Sequence, residues 1–279
     1  HDAALALHAT LLSEGCPAEL ISGDEARRRV PVLRAEAAAI AVVDPLAADL
    51  DVNALHQAYL RGARARGAAL VCDAGVNAIR RDAGAWRITA GERHWRALLL
   101  VNAAGAWVDQ IAALAGVRAI GIQPKRRSAF VFAPPPELAT ADWPCVAAID
   151  ESWYFKPDAG LLLGSPANAD PVAPHDVQAE ELDIATGIYR IEQATTLQIR
   201  RPRRIWAGLR SFVADGDLVG GFDPHAVGFF WVAALGGYGI QTSPAMGAAC
   251  AALLQGQPLP ASIQNEGLSG AALGVRPAR

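Results

Sequence analysis

The stretch of sequence that decides the fold is W-A-G-L-R-S-F-V-A-D-G-D at 206–217, followed by F-F-W-V-A-A-L-G-G-Y-G-I-Q-T-S-P-A-M-G at 229–247. The first part predicts a strand ending in Gly208-Leu209-Arg210, with one cation among apolar neighbours. The second part predicts a buried strand over 229–234 that breaks at glycines and enters a helix. A helix that starts at such a junction presents backbone N–H groups and the positive end of its dipole, which can hold an anion or an electron-rich ring.

The start of this helix has signals of its own. Ser243 is a good N-cap residue, Pro244 suits the first helical position, and Gly256 is expected to end the helix. The preceding Gly237-Tyr238-Gly239 half matches a dinucleotide-binding fingerprint, but the third glycine is missing and no acidic residue follows about 20 positions later. We therefore reject that interpretation. Taken alone, the glycine turn is equally well explained as a tight connection.

The composition is that of a soluble globular protein. With 279 residues, 52% of them hydrophobic and 19% charged, the chain is long enough for one large or two ordinary domains. The net charge of −3 gives no indication of nucleic acid or of an acidic membrane surface as a partner. No apolar run reaches the roughly 18 residues that a membrane span needs.

The cysteines and histidines are scattered along the chain and predict no metal site. Without a C-x-x-C pair, the cysteines are expected to be small buried thiols in a reducing compartment, and a cytoplasmic location is expected for the protein. The chain opens at His1 directly in helical periodicity, without Met and without a signal-peptide pattern. This start predicts a fragment that begins inside a structural element.

The first third of the chain mixes helical and strand-like patterns. Residues 1–35 predict helix, turn and helix, with Ser22 or Asp24 as the N-cap of the second helix. Asp51 is expected to cap an amphipathic helix that ends at Gly67. Its apolar face would comprise Val52, Leu55, Tyr59 and Ala63. Short strands are predicted at 39–43, 69–71, 76–80 and 86–89.

A continuous apolar run over 96–102 predicts a central parallel strand, because both of its faces are apolar. The run leads through V-N-A-A-G-A-W at 101–107 into a helix with Val108, Ile111 and Ala115 facing inward. Small residues at this junction allow the backbone to approach another group closely. Taken alone, tight packing of the helix on the strand is the simpler explanation.

The middle of the chain has a different pattern. Strands joined by connections rich in Pro, Asp and Gly are predicted at 123–133, 146–149, 153–157 and 160–164, which is typical of an antiparallel sheet. A helix is predicted over 178–191, with Ile184, Ile188 and Ile191 on one side. The fold class is therefore α/β, in the broader sense α+β, with a β-rich insert between two α/β segments.

Three motifs are recognisable together: V-N-A-A-G-A-W (101–107), A-G-L-R-S-F-V-A-D-G-D (207–217) and G-G-Y-G-I-Q-T (236–242). They resemble signatures of the FAD-dependent D-amino-acid oxidase superfamily, which includes glycine oxidase, sarcosine oxidase and the D-amino-acid dehydrogenases. The last two motifs are most similar to those of bacterial D-arginine dehydrogenases. The resemblance covers essentially the whole chain.

The resemblance implies two interleaved domains. A remnant of a Rossmann-like FAD-binding domain would comprise residues 51–118 and 205–279. An antiparallel-sheet substrate domain would comprise residues 119–204 together with the helical part at 1–50. Family members begin with a strand and a G-x-G-x-x-G turn that holds the FAD pyrophosphate, and this sequence contains no such turn.

The cofactor that the resemblance implies is FAD. Val76 matches the residue whose backbone contacts the adenine, and Ala104, Gly105 and Trp107 match the turn beside the flavin. One further cofactor contact, Gly208, lies on the strand of the second motif. The remaining contacts match the segment around the flavin pyrimidine ring and are Gly237, Tyr238, Gly239, Ile240, Gln241 and Thr242.

Arg210 matches the arginine that binds the amino-acid carboxylate, a task suited to the planar fork of a guanidinium. Gly208 would offer its carbonyl to the substrate amine. Strand alternation puts Arg126 and Arg127 on opposite faces, so only one of them can point into a site. The substrate contacts that the resemblance implies are Arg127, Tyr154, Gly208, Arg210 and Gln241.

The reaction implied is oxidation of a D-amino acid to its imino acid by hydride transfer to FAD, followed by hydrolysis to a 2-oxo acid and ammonia. No side chain is expected to act as a catalytic base at Cα. The partners expected are a small amino-acid substrate and an electron acceptor of unspecified type. Two alternatives stay open: an amine oxidase of the glycine or sarcosine oxidase type, and a non-catalytic remnant or binding module that lacks the FAD fingerprint.

Overall fold

The structure is a computed structural model that describes residues 1–276 and divides into two compact units. Unit 1 consists of His1–Asp49, Arg126–Asp170 and His175–Leu209. Unit 2 consists of Leu50–Lys125, Pro171–Pro174 and the chain from Arg210 onward. The chain passes repeatedly from one unit to the other, so neither unit is a continuous segment.

The described chain contains both helices and strands, with runs of consecutive strands over 78–102 and 123–171. The helices are α1 (Asp2–Ser13), α2 (Gly23–Arg29), α3 (Val52–Ala65), α4 (Val108–Leu114), α5 (Glu181–Ala194), α6 (Gly239–Leu254), α7 (Ala261–Gln264) and α8 (Gly270–Leu273), with a 3-10 turn at Gly105–Trp107. The strands are β1 (Glu19–Ser22), β2 (Ile40–Val43), β3 (Ala78–Asp82), β4 (Ala85–Ala90), β5 (Arg93–Ala97), β6 (Leu100–Asn102), β7 (Gln123–Phe132), β8 (Val146–Ala147), β9 (Tyr154–Asp158), β10 (Leu161–Ser165), β11 (Asp170–Pro171), β12 (Arg204–Phe212), β13 (Val219–Phe222) and β14 (Phe229–Ala233).

The main sheet of unit 1 has the strand order β11-β7-β10-β9-β8, and β12 also pairs with β7. The pairs β7–β10, β10–β9 and β9–β8 are antiparallel, with Phe130 opposite Gly164 and Phe155 opposite the same glycine. The antiparallel sheet predicted for the middle of the chain is therefore confirmed.

Helix α5 packs on one face of this sheet and closes the core of unit 1. Its buried Ile184 and Ile191 meet Phe130, Phe155 and Leu162, which are also buried. The packing is close, because a Cβ atom at Gly164 would lie 2.9 Å from the Ile191 Cδ1 atom and from the Phe130 ring. The predicted inward side of this helix is confirmed.

The opening segment of unit 1 contains a strand pair that the sequence pattern did not predict in full. Strands β1 and β2 are antiparallel, with Glu19 opposite Val43, and only β2 was expected. The Ser22 side chain accepts a hydrogen bond from the Glu25 backbone N–H (3.2 Å), which confirms Ser22 as the N-cap of α2. Strand β1 was missed because it directly precedes this cap and spans only four residues.

Unit 2 contains two three-stranded sheets, β13-β14-β6 and β3-β4-β5. In the first, β14 and β6 run parallel while β13 and β14 run antiparallel. Phe229, Phe230 and Trp231 of β14 are fully buried, as the apolar pattern predicted. The second sheet is antiparallel, and its β3–β4 turn has positive φ at Ala83 and Gly84, the geometry of a tight two-residue hairpin.

The apolar run over 96–102 is not the single central strand that was predicted. It splits into β5, which pairs with β4, and β6, which pairs with β14. The two strands are joined at Leu98 and Leu99, and Leu98 is 73% exposed. The prediction of a parallel strand is confirmed for β6, but this strand is an edge strand among the described residues. Residues 69–71, expected to be a strand, belong to no strand of the described chain.

Strand β13 was not predicted, because its Gly220-Gly221 pair is typical of a turn. The structure gives these glycines a packing role. A Cβ atom at Gly220 would lie 2.5 Å from Met246 Cε and 3.1 Å from Cys250 Sγ of α6. The absence of a side chain at this strand position lets the helix approach β13, which explains how a strand tolerates two glycines.

Helix α6 starts one turn earlier than predicted. Its N-cap is Tyr238, and the Thr242 backbone N–H donates to the Tyr238 carbonyl (3.0 Å), which closes the first turn before Pro244. Ser243 and Pro244 therefore lie inside the helix, and the prediction that they cap and open it is wrong. Gly256, with φ of 68°, follows the end of the helix as expected.

The predicted amphipathic helix α3 forms, and its predicted cap is confirmed by the hydrogen bond from the Ala54 backbone N–H to Asp51 (2.8 Å). Its apolar face does not belong to a buried core of the described chain. No residue of α3 is buried, and Tyr59 is 50% exposed.

The four cysteines differ in their exposure to solvent. Cys250 is buried, and burial raises the pKa of its thiol, but Cys16 is half-buried and Cys72 and Cys145 are exposed. The expectation of buried thiols is therefore wrong for these three.

Within residues 1–276, no group of His, Cys, Asp or Glu is arranged to hold a metal ion, and no helix is both long and apolar enough to cross a bilayer.

Two glycines that lie in helices, one closely packed and one in open space, give a matched test of how the helices pack. A Cβ atom at Gly23 would fall well inside contact distance of the Ala38 backbone carbonyl, whereas a Cβ atom at Gly247 would meet nothing within 4 Å. We expect Gly23→Ala to lower the free energy of unfolding by about 2 kcal/mol, because backbone must move. Gly247→Ala should raise it by about 0.5–1 kcal/mol, because alanine is the better helix former. Urea unfolding of both variants measures this, and shifts in the same direction would contradict the packing described.

Candidate functional site

In unit 1, Arg127 and Tyr154 lie on the same face of the main sheet. Phe130 and Phe155 both lie opposite Gly164 and point toward α5. Arg127 is three residues from Phe130, and Tyr154 is one residue from Phe155. Because side chains alternate along a strand, Arg127 and Tyr154 both point to the side away from α5.

The Arg127 side chain is held at its Nε atom. Nε donates a hydrogen bond to the backbone carbonyl of Asn168 (2.5 Å), and the residue is half-buried. Tyr154 is also half-buried and lies opposite Ser165 on β10. Its neighbours Trp153 and Phe155 stack on each other, with ring centroids 6.0 Å apart. Both candidate residues are therefore positioned on strands rather than on loops.

Arg126 points the other way, toward α5, and is 9% exposed. Its Nε atom donates to Asp183 (2.9 Å), its Nη2 atom lies 3.4 Å from Asp170, and its Nη1 atom pairs with Glu180. Burial lowers the pKa of Arg126, but hydrogen bonds and charge from Asp183 and Glu180 outweigh it and raise the pKa above its ordinary value. Arg126 is a structural cation, and the predicted alternation of the two arginines is confirmed.

On β12, Gly208 is exposed, and a Cβ atom placed on it would meet no atom within 4 Å. The backbone at Gly208 is therefore open to close approach by another molecule. Arg210 follows two residues later on the same strand. Its side chain therefore projects from the same face of β12 as Gly208, which has no side chain.

In unit 2, the Arg210 guanidinium lies directly over the glycine turn that follows β14. A Cβ atom at Gly237 would be 2.9 Å from Arg210 Nη1. The Gly236 backbone N–H donates to the Ser211 carbonyl (3.0 Å), which ties the end of β12 to the turn. Gly236 has φ of 54°, so the turn needs a glycine there for its conformation, and Gly237 makes room for the arginine.

The turn leads into α6, whose first residues present backbone donors. The N–H groups of Gly239, Ile240 and Gln241 precede the first intrahelical hydrogen bond, which is made by Thr242. The Thr242 hydroxyl also donates to the Tyr238 carbonyl (2.8 Å). Tyr238, Ile240 and Gln241 are exposed. Arg210 and the positive end of the α6 dipole therefore form one electropositive surface within unit 2.

A second turn of unit 2 lies at the same sheet edge. The carboxyl ends of β6 and β14 are adjacent because these strands are parallel and Asn102 pairs with Trp231. After β6, Gly105 has φ of 58° and space around it, and Trp107 is exposed. Adjacent carboxyl ends of parallel strands are where α/β sheets bind ligands.

Asn102 shapes this second turn, and the sequence reading gave it no role. It is 2% exposed, its Nδ2 atom donates to the Val108 carbonyl (2.8 Å), and its Oδ1 atom accepts from the Ala104 N–H (3.4 Å). A buried polar residue at the end of an apolar strand is the signal that could have identified it. Val76 is half-buried against the core of unit 2, just before Asn77, whose N–H donates to the Thr89 carbonyl (2.9 Å).

In unit 1, an antiparallel sheet thus carries a half-buried arginine and a half-buried tyrosine on one face. In unit 2, a parallel strand pair is followed by turns that present glycines, N–H donors and a guanidinium. The family profile described as DAO, FAD dependent oxidoreductase, matches residues 1–253. The chain belongs to this family of FAD-dependent oxidoreductases.

Relatives of known sequence match part of the chain. The chain is 27% identical over 176 residues to FAD-dependent oxidoreductase domain-containing protein 1 of Xenopus laevis. This match covers 56% of the chain and 34% of that protein. The chain is 29% identical over 160 residues to hydrogen cyanide synthase subunit HcnC of Pseudomonas aeruginosa, covering 56% and 37%. The chain thus matches about a third of the length of these relatives.

Solved structures share the fold over most of the chain. Glycine oxidase from Geobacillus kaustophilus superposes with a TM-score of 0.81 at 24% identity, over 96% of this chain and 69% of that one. L-proline dehydrogenase from P. horikoshii superposes with a TM-score of 0.75 at 22% identity, over 88% and 67%. At these identities the similarity establishes the fold, in agreement with the fold class predicted from the sequence.

FAD is the cofactor of the family, and the described residues of unit 2 fit its ring portion. The start of α6 presents exposed N–H donors, and Gly105 leaves open space on the adjacent turn. These features suit an electron-rich ring that gains negative charge. The residues that would hold it are those of the two turns, around 104–107 and 237–242.

The Arg126 cluster gives a stability prediction for unit 1. Arg126→Ala would leave Asp183, which is largely buried, beside two further carboxylates without its cation. We expect this variant to lose about 3 kcal/mol of unfolding free energy. Glu180→Gln is the matched control, because its carboxylate is mostly exposed and should cost less than about 1 kcal/mol. Urea unfolding of both variants measures this, and equal losses would argue against a structural role for the buried cation.

Proposed function

We propose that this protein oxidises a D-amino acid at the Cα–N bond to give an imino acid, which water then hydrolyses to a 2-oxo acid and ammonia. The observation that carries the proposal is the placement of the Arg210 guanidinium over Gly237, beside the N–H donors that begin α6. A guanidinium can bind a carboxylate bidentately, which orients an amino acid without engaging its reacting bond.

The proposed substrate residues have distinct roles. Arg210 binds the carboxylate of the amino acid, and its positive charge stabilises the enzyme–substrate complex before the reaction begins. Arg127 and Tyr154 supply further contacts to the carboxylate from a shared sheet face. The Gly208 carbonyl accepts a hydrogen bond from the substrate amine, and Gln241 adjoins the substrate. With these roles, unit 1 is a substrate domain and unit 2 a part of an FAD-binding domain.

The proposed reaction depends on how the substrate is oriented and does not need a side chain that acts as an acid or a base. FAD, when bound, supplies the acceptor for the hydride that leaves Cα. The nitrogen lone pair of the neutral amine forms the new C=N bond as the hydride departs, and a proton of the amine passes to solvent. The carboxylate contacts fix Cα, and the Gly208 carbonyl directs the amine, so no side chain is needed as a base at Cα.

An oxidase acting on glycine or sarcosine is the second candidate. Its support is the fold shared with glycine oxidase from Geobacillus kaustophilus. The two candidates differ in substrate and in reactivity with oxygen. A panel of glycine, sarcosine and D-amino acids, each assayed with oxygen and with an artificial acceptor, tests them. Turnover of D-amino acids mainly with the artificial acceptor supports the dehydrogenase, and turnover of glycine or sarcosine with oxygen supports the second candidate.

Substitution of Arg210 tests the carboxylate contact. We expect Arg210→Ala to raise KM for the amino acid roughly hundredfold or more, because the carboxylate loses its charged partner. Arg210→Lys should recover only part of this loss, since an ammonium lacks the planar fork. Steady-state kinetics of the FAD-loaded enzyme measures KM, with the absorbance of bound flavin as a check on loading. A KM within a few-fold of the parent value in flavin-loaded Arg210→Ala would disprove the assignment.

Removal of the Tyr154 hydroxyl tests a weaker contact. Tyr154→Phe keeps the ring on β9 but removes a donor to the carboxylate. We expect KM to rise about tenfold, the cost of one hydrogen bond to a charged group, with little change in kcat. The comparison is with Tyr189→Phe, an exposed tyrosine on α5. Equal effects of the two substitutions on KM would remove Tyr154 from the site.

A further inference from the structure

Asn168 connects the two arginines of β7 from a distant part of the chain. It lies in the turn between β10 and β11 of unit 1, and its backbone carbonyl accepts the hydrogen bond from Arg127 Nε (2.5 Å). The position of this carbonyl therefore determines where the Arg127 guanidinium is held. None of the roles proposed above for the substrate or the cofactor involves Asn168.

The Asn168 side chain is bonded at both ends of its amide. Its Oδ1 atom accepts a hydrogen bond from the Ser128 backbone N–H (2.8 Å), and its Nδ2 atom donates to Asp183 (3.0 Å) and to Asp170 (2.6 Å). The amide oxygen must face the Ser128 N–H, and the amide nitrogen must face the carboxylates of Asp170 and Asp183. These partners therefore determine which way the Asn168 amide is turned. These bonds anchor Asn168 both to β7 and to the acidic cluster around Arg126.

Two buried serines fix the same turn from its other side. The Ser128 hydroxyl donates to Asp183 (2.7 Å), and its carbonyl accepts from the Ser165 hydroxyl (2.7 Å). The Ser165 oxygen in turn accepts the N–H of Ala167 (3.0 Å). Both serines have no exposed surface. The turn is thus held at Ser165, Ala167 and Asn168, which restricts the position of the Asn168 carbonyl more than that of a carbonyl in an exposed loop.

We propose that Asn168 is a positioning residue that sets the direction of the Arg127 guanidinium toward the substrate carboxylate. The cation Arg126 holds Asp170 and Asp183, these acids hold the Asn168 amide, and the Asn168 carbonyl holds Arg127 Nε. The inference rests on the proposed role of Arg127. An arginine side chain has many rotamers, so fixing it before the ligand arrives removes an ordering cost from binding.

Acetate is a suitable probe, because it carries a carboxylate and makes no demand on the identity of the amino acid. Its equilibrium Kd is measured in the FAD-loaded enzyme from the change in flavin absorbance. We expect Arg127→Ala and Asn168→Ala each to weaken acetate about tenfold, which is within the range for directly coupled neighbours. In the double variant, Asn168→Ala should add almost nothing, because its effect is exerted through Arg127.

Two controls separate positioning from general loss of structure. Glu180→Gln removes one mostly exposed carboxylate from Arg126 but keeps the bonds of Asp170 and Asp183 to Arg126 and to Asn168, so it should leave the acetate Kd unchanged. Asn168→Asp keeps the size and the acceptor for Ser128 but cannot donate to the two aspartates, so it should weaken acetate as Asn168→Ala does. It also serves if Asn168→Ala fails to fold.

The outcomes separate this inference from the proposed function. If acetate binding depends on Arg127 but not on Asn168, the positioning role is overturned and the carboxylate contact stands. The inference is equally overturned if the losses from Arg127→Ala and Asn168→Ala add fully in the double variant, since a structural effect would weaken binding with or without Arg127. If Arg127→Ala leaves the acetate Kd unchanged, the role of Arg127 in the proposed function fails, and the inference fails with it.

Discussion

The parallel pairing of β6 with β14 is the constraint on which the candidate site of unit 2 depends. Residues 100–102 and 229–231 are far apart in sequence, yet their register places the carboxyl ends of both strands at one sheet edge. A parallel pair cannot be closed by a tight turn, so the intervening chain must leave this sheet and return. The two glycine-containing turns therefore follow adjacent strand ends. The hydrogen bond from the Gly236 N–H to the Ser211 carbonyl ties β12, which carries Arg210, to the turn after β14.

A second constraint, strand alternation, governs unit 1. Two adjacent arginines on β7 must point to opposite faces, and the structure provides a different environment for each. Arg126 meets three carboxylates on the side of α5, where a buried cation needs partners. Arg127 points to the face shared with Tyr154. Arg126 therefore has a structural role, whereas Arg127 lies on the opposite face of β7, the face that it shares with Tyr154.

The sequence predicted those features that depend on local pattern or on a short motif. The antiparallel sheet, the inward side of α5 and the family followed from periodicity and from the motifs around Gly105, Arg210 and Gly237. The errors arose where partners distant in sequence decide the outcome. Strand β13 is stable because α6 packs on Gly220, and the run over 96–102 divides because β4 and β14 each take half of it. The roles of the individual site residues remain predictions.

The two arginines proposed for the carboxylate are also positioned in physically different ways. Arg210 lies over a turn that begins 26 residues later, and that turn needs a glycine at Gly236 for its conformation and at Gly237 to leave room for the guanidinium. Arg127 is held by the Asn168 carbonyl, 41 residues away, whose position depends on the Asn168 amide, two serines and two acids. The motif around Arg210 therefore carries most of its own geometry, whereas an Arg-Arg pair on β7 does not. A chain with the same pair but another residue in place of Asn168 would hold its second guanidinium differently, so the pair alone does not determine how a substrate is oriented.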